Sequence, residues 1–134
     1  MNAWKSRTAP TIEDLSALAA EAFAALPAEF RTLCGNVAIH VAEFAEDDLL
    51  ADLGIEDPFD LTGLYEGVDL TADSLTNPSG PAHVHLYRRP LLDEWAENGE
   101  ITLGELVTHV LVHEIGHHFG LSDEEMHAIE ERAA

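Results

Sequence analysis

Residues 102–125 read TLGELVTHVLVHEIGHHFGLSDEE, and their spacing decides most of what can be said about this chain. Thr102 and Glu105 form a Thr-x-x-Glu capping box, which marks the start of a helix. Leu103, Leu106, Val107, Val110, Leu111, Val112, Ile115 and Phe119 follow. Projected at 100° per residue they lie nearly all round the cylinder, the pattern of a central, buried helix. Gly120 stands where a left-handed cap usually ends a helix. Ser122 and Glu125 make a second capping box, opening a last helix to about Glu131 after a sharp reversal.

Inside the buried helix sits His113-Glu114-Ile115-Gly116-His117. Residues four apart share a helix face, so the two imidazoles point the same way and can hold one Zn²⁺. Glu114 lies one residue further round, where it can take a proton from a water activated by the ion. A third ligand is needed, and Asp123 lies six residues past His117, just beyond the reversal at Gly120. Asp123 also suits the first turn of a helix on dipole grounds alone, so His118 and His127 stand as alternatives. With eight His in the chain, chance would produce the pattern His113-Glu114-x-x-His117-x-x-Gly120-x-x-Asp123 in roughly one such sequence in four thousand.

Outward from this segment the signals weaken. Thr11 caps a helix carrying Leu15, Leu18, Ala19, Ala22, Phe23 and Leu26, stopped by Pro27. Val37–Phe44 alternates as a strand, and Ala45–Asp60 reads as an acidic loop. Leu61–Leu70, split by Gly63 and Gly67, suggests a bulged or edge strand. Thr71–Pro81 reads as loop. His83–Arg88 alternates again, with Val84 and Leu86 on one face and His83, His85 and Tyr87 on the other, the latter read as the solvent side. A helix runs from Pro90 to about Glu97, closed by Asn98-Gly99. These elements make an α+β chain, expected to form one domain over residues 1–134 with its core between 10 and 131.

Several side chains carry a plain structural reading. His109, one turn before His113, is either a packed core residue or part of the site's lining. His118 and Met126 read as structural, and Cys34 as a small buried apolar residue. Arg88 and Arg89 are expected to pair with nearby carboxylates.

Composition narrows the function. Twenty-six acids against six Lys and Arg leave a formal charge of −20 in 134 residues. Such a chain repels phosphate backbones and anionic lipid, which argues against nucleic-acid and membrane partners. Glu13, Asp14 and Glu21 interrupt any export-signal pattern, no apolar run is long enough to span a bilayer, and one cysteine allows no intrachain disulfide. A cytoplasmic setting is the expectation.

The extended motif resembles that of the Asp-zincins and, with Asp in place of the final His, the metzincins. The whole chain is similar to the small bacterial mini-zincins. The similarity is carried also by Gly63-Leu64-Tyr65-Glu66-Gly67, by Val84-His85-Leu86-Tyr87-Arg88 with Pro90-Leu91-Leu92, and by His118-Phe119-Gly120. The resemblance implies a minimal zincin-like fold, a small twisted mixed sheet with a buried active-site helix and backing helices. By it His113, His117 and Asp123 would be ligands of one Zn²⁺ and Glu114 the general base of a metallopeptidase acting on a peptide or protein substrate. An edge strand could pair with that substrate. Eleven residues follow Asp123, and the C-terminal subdomain of larger zincins is therefore not expected. A zinc-stabilised binding or regulatory module is the alternative function.

Overall fold

The computed structural model describes residues 2–67 and 82–133. The segment 68–81 holds the end of the Leu61–Leu70 strand expectation and the Thr71–Pro81 loop expectation, and lies outside the described residues.

Local chemistry sets the helices. Helix α1 (Ile12–Ala24) opens on a complete capping box, Thr11 Oγ1 accepting from the Asp14 amide and Asp14 Oδ2 from the Thr11 amide. It buries Leu15 and Ala19, four apart on one face. After Pro27 comes α2 (Ala28–Cys34), which the sequence reading did not anticipate; it is too short for a helical period to stand out. Helix α3 (Asp47–Leu53) and a 3₁₀ turn at Pro58–Asp60 occupy the stretch expected to be a loop. That expectation is corrected. Asp47 and Asp48 sit favourably in α3's first turn, Gly54 closes it at φ 70°, and the acidity read as loop is the helix's solvent side.

Helix α4 (Arg88–Asn98) starts two residues before Pro90, which falls in the first turn where its missing N–H has no partner to lose. Gly99 ends it at φ 71°. Helix α5 (Leu103–His118) carries the expected box, with reciprocal bonds of 3.1 and 3.2 Å between Thr102 and Glu105. Gly120, at φ 71°, turns the chain, and Ser122 and Glu125 cap α6 (Asp123–Ala133).

Three strands form one mixed sheet: β1 (Val37–Ala42), β2 (Gly63–Glu66) and β3 (Ala82–Tyr87), in the order β1-β3-β2. β1 runs parallel to β3, with His40 opposite His85, and β2 runs antiparallel to it, with Gly63 opposite Leu86. The alternation in β3 separates its faces. Val84 and Leu86 are fully buried and join Leu15, Leu106, Val107, Leu111 and Ile115 in the main core, between the sheet and helices α1 and α5. Tyr87, from the other face, packs with Ala45 and Leu50 in a small second cluster under α3. The α+β expectation holds, and α5 is the central helix. It is not buried all round, however: Glu105, His109 and His117, at spacings of four and eight, stay exposed on one strip.

Two close approaches explain particular glycines. A Cβ on Gly116 would lie 2.5 Å from Met126 Sδ, so this glycine lets α6 dock flat on α5. A Cβ on Gly63 would lie 2.8 Å from Val110 Cγ1, which holds β2 against the same helix. Arg88 and Arg89 meet Glu43 at 3.1 and 3.0 Å, tying the start of α4 to the end of β1 as expected. Arg88 Nε also donates to the Pro10 carbonyl at 2.6 Å.

Cys34 is buried, and burial pushes its thiol up to about 11. At pH 8 about one molecule in a thousand then carries the thiolate. Native protein is therefore expected to react with a disulfide reagent only as fast as it opens, and at once in denaturant. Immediate stoichiometric labelling of the native chain would contradict this packing.

Candidate metal centre

The candidate ligands lie on two consecutive helices brought together by the turn at Gly120. Helix α5 presents His109, His113 and His117 one turn apart, because i and i+4 stack on one face. The His109 and His113 rings are 4.0 Å apart between centroids, and the His113 and His117 rings 5.8 Å apart at 90°. Helix α6 returns with Asp123 as its first residue and Glu130 two turns later. Glu130 Oε1 lies 2.6 Å from His109 Nδ1 and 3.4 Å from His113 Nε2.

Among the described residues, His109, His113 and Glu130 are the three whose ligand atoms all fall within 4.8 Å of one another. His113 is shared with the expected set. His117 and Asp123 are exposed at the edge of this group, Asp123 near enough for its charge to act on the His113 ring. His127, an alternative third ligand, points to solvent and pairs with Glu131 at 3.1 Å. His118, the other alternative, packs edge-on against Tyr65 at 4.8 Å and closes over Gly67, so it serves the joint between α5 and β2.

The electrostatics suit a cation. Burial, then the neighbouring His109, holds His113 below the usual histidine range, with His117 acting the same way and Glu130 and Asp123 opposing. His113 is thus neutral at pH 7, the form that ligates. Burial raises the Glu114 carboxyl above its ordinary range, and His117 pulls it partly back. Glu130 Oε1 is buried without a hydrogen bond although two imidazole nitrogens face it. A buried carboxylate oxygen in that state fits a cation-binding role, since an unpaired charged acceptor otherwise costs several kcal/mol. Nitrogen and oxygen donors of this kind suit Zn²⁺.

Glu130 escaped the sequence reading. Its only signal was position, seven residues beyond Asp123 and therefore on the same side of α6. Acids are too common in this chain for that spacing to single it out.

A His-Glu-x-x-His helix set against a small mixed sheet, with acids returning from the next helix, is an arrangement of the zincin kind and makes this group a candidate metal centre. The model of the zincin-like metallopeptidase family matches residues 34–133, and the chain belongs to that family. No curated protein matches the chain. None of the helices of the described residues is long and apolar enough to cross a membrane.

Proposed function

We propose that the protein is a zinc-dependent peptidase in which His113, His117 and Asp123 hold one Zn²⁺ and Glu114 is the general base. The observation that carries this reading is the placement of His113 and His117 one turn apart on α5, with Glu114 half-buried between them and its carboxyl raised above its ordinary range by burial. Family membership supports the hydrolase class and the metal.

A bound Zn²⁺ would supply Lewis acidity, polarising the scissile carbonyl and acidifying the attacking water. The chain's own groups do the rest. Glu114 takes the water's proton on a carboxylate oxygen and returns it to the leaving amine, a transfer that a raised carboxyl pKa assists. Neutral His113 keeps its lone pair for the ion. β2 pairs with β3 alone among the described strands and packs on α5, so its other edge is suited to an extended peptide laid beside the helix. The charge of −20 favours basic peptide or protein substrates over nucleic acid or anionic membrane. The single, buried cysteine is compatible with a cytoplasmic setting.

One observation favours a second reading of the ligand set: the buried Oε1 of Glu130 makes no hydrogen bond and groups with the ring nitrogens of His109 and His113 within 4.8 Å. In that reading Glu130 replaces Asp123 as third ligand. Metal content by plasma mass spectrometry, on wild type, His113→Ala, Asp123→Asn and Glu130→Gln, tests both. We expect one equivalent of zinc at the centre in wild type and loss in His113→Ala. Loss in Asp123→Asn with retention in Glu130→Gln supports Asp123, and the converse supports Glu130. A total zinc content in His113→Ala equal to that of wild type would refute the centre.

A further inference from the structure

The outer face of the sheet carries a group of side chains that the α5 centre does not use. His40 on β1, His83 and His85 on β3, and Glu66 on β2 all project from the face opposite the main core. The register places His40 directly across from His85, and Glu66 directly across from His83. His40 Nε2 and His83 Nδ1 are 3.0 Å apart, and His85 Nε2 is 3.4 Å from Glu66 Oε1. The three rings form a triangle, His40 lying 5.2 Å from His83 and 5.0 Å from His85, and those two 6.4 Å apart. Three of the chain's eight histidines thus meet on one small patch.

We propose that His40, His83 and His85, with Glu66, form a second binding site for a nitrogen-preferring divalent transition-metal ion, independent of the centre on α5.

The spacing supports this. Two nitrogens bound tetrahedrally to one Zn²⁺ at about 2.0–2.1 Å stand about 3.3–3.4 Å apart. The His40–His83 and His85–Glu66 separations each lie near that edge length, as two neighbouring pairs whose donors do not converge on one point as placed. A His-x-His pair on a strand puts two imidazoles on the same side because side chains alternate. A third, from the neighbouring strand in register, arrives within side-chain reach without any backbone adjustment. As placed, His85 turns toward Glu66, and a rotamer change toward the His40–His83 pair completes a three-nitrogen set with the carboxylate beside it. His85 is held below the usual histidine range by burial, with His40 and His83 adding to the effect and Glu66 opposing it. It is therefore available as a neutral ligand at pH 7. Val84, between the two histidines of β3, and Leu86, just after them, point into the core and separate this patch from α5.

The test is a Zn²⁺ titration by calorimetry, with plasma mass spectrometry of the dialysed protein, on wild type, His113→Ala and the triple variant His40→Asn/His83→Asn/His85→Asn. Circular dichroism checks that each is folded. Wild type is expected to take up two equivalents, His113→Ala to keep the sheet equivalent, and the triple variant to lose it. The single variant His83→Asn, which leaves the sheet almost intact, should weaken that equivalent by about tenfold or more. A wild type that binds one ion, lost in His113→Ala, would overturn the proposal by leaving the patch a hydrogen-bonded solvent face. So would a second equivalent that survives in the triple variant. Because the two sites share no residue, a failed α5 centre would show as retained sheet binding with no second ion, and a failed sheet site as the reverse.

Discussion

Glu114→Gln is expected to lower peptidase turnover by about 10²–10⁴-fold while leaving the zinc content unchanged. Gln has the shape of Glu but cannot accept the water's proton, so the substitution removes the base and little else. Glu114 is half-buried beside His117 on α5, and its ring neighbours keep their positions in the variant. Activity measured on a mixed peptide library, with zinc counted in the same samples, reads both quantities. A variant that keeps both zinc and turnover would remove Glu114 from the chemistry. Absence of hydrolysis in wild type and variant alike, with zinc bound in both, would favour the alternative of a zinc-stabilised binding module. In that case capture of a protein partner should survive the substitution.

Met126→Ala is expected to cost about 2–5 kcal/mol of stability and to weaken zinc binding as a consequence. Met126 is the buried residue of α6, fully enclosed, and its thioether fills the space that Gly116 leaves on α5. Truncation opens a cavity at the only deeply buried contact of that helix. Asp123 and Glu130 ride on α6, so loosening it spreads their positions relative to His113. Denaturant unfolding gives the stability loss, and zinc titration gives the loss of affinity. Met126→Leu, nearly equal in volume, should lose less than about 1.5 kcal/mol and keep the ion. An unchanged zinc affinity in a destabilised Met126→Ala would show that α6 does not hold the ligand set together.

The helices that carry the site were legible because their signals are local. The boxes read at Thr102 and Ser122, and the cap read at Thr11, each place a side-chain acceptor three residues from the amide it satisfies, and all three form. Alternation separated the two faces of β3, but the solvent side expected for Tyr87 is corrected, because α3 covers that end of the strand and Tyr87 is buried with Ala45 and Leu50. Short elements were another matter. α2 and α3 have seven residues each, less than two full turns of pattern beyond their ends, and α3's acids mimic a loop.

The sequence by itself determined that a capped helix presents His113, Glu114 and His117 in the order and spacing that a zinc hydrolase needs, because a 3.6-residue period is a property of the backbone. It also determined that His83 and His85 share one side of a strand. Only the tertiary structure decided that Glu130 reaches His109 and His113, since that depends on how closely α6 docks at Gly116. Only the tertiary structure brought His40 to His83, across forty-three positions, because strand register is set by which side chains the common core can bury.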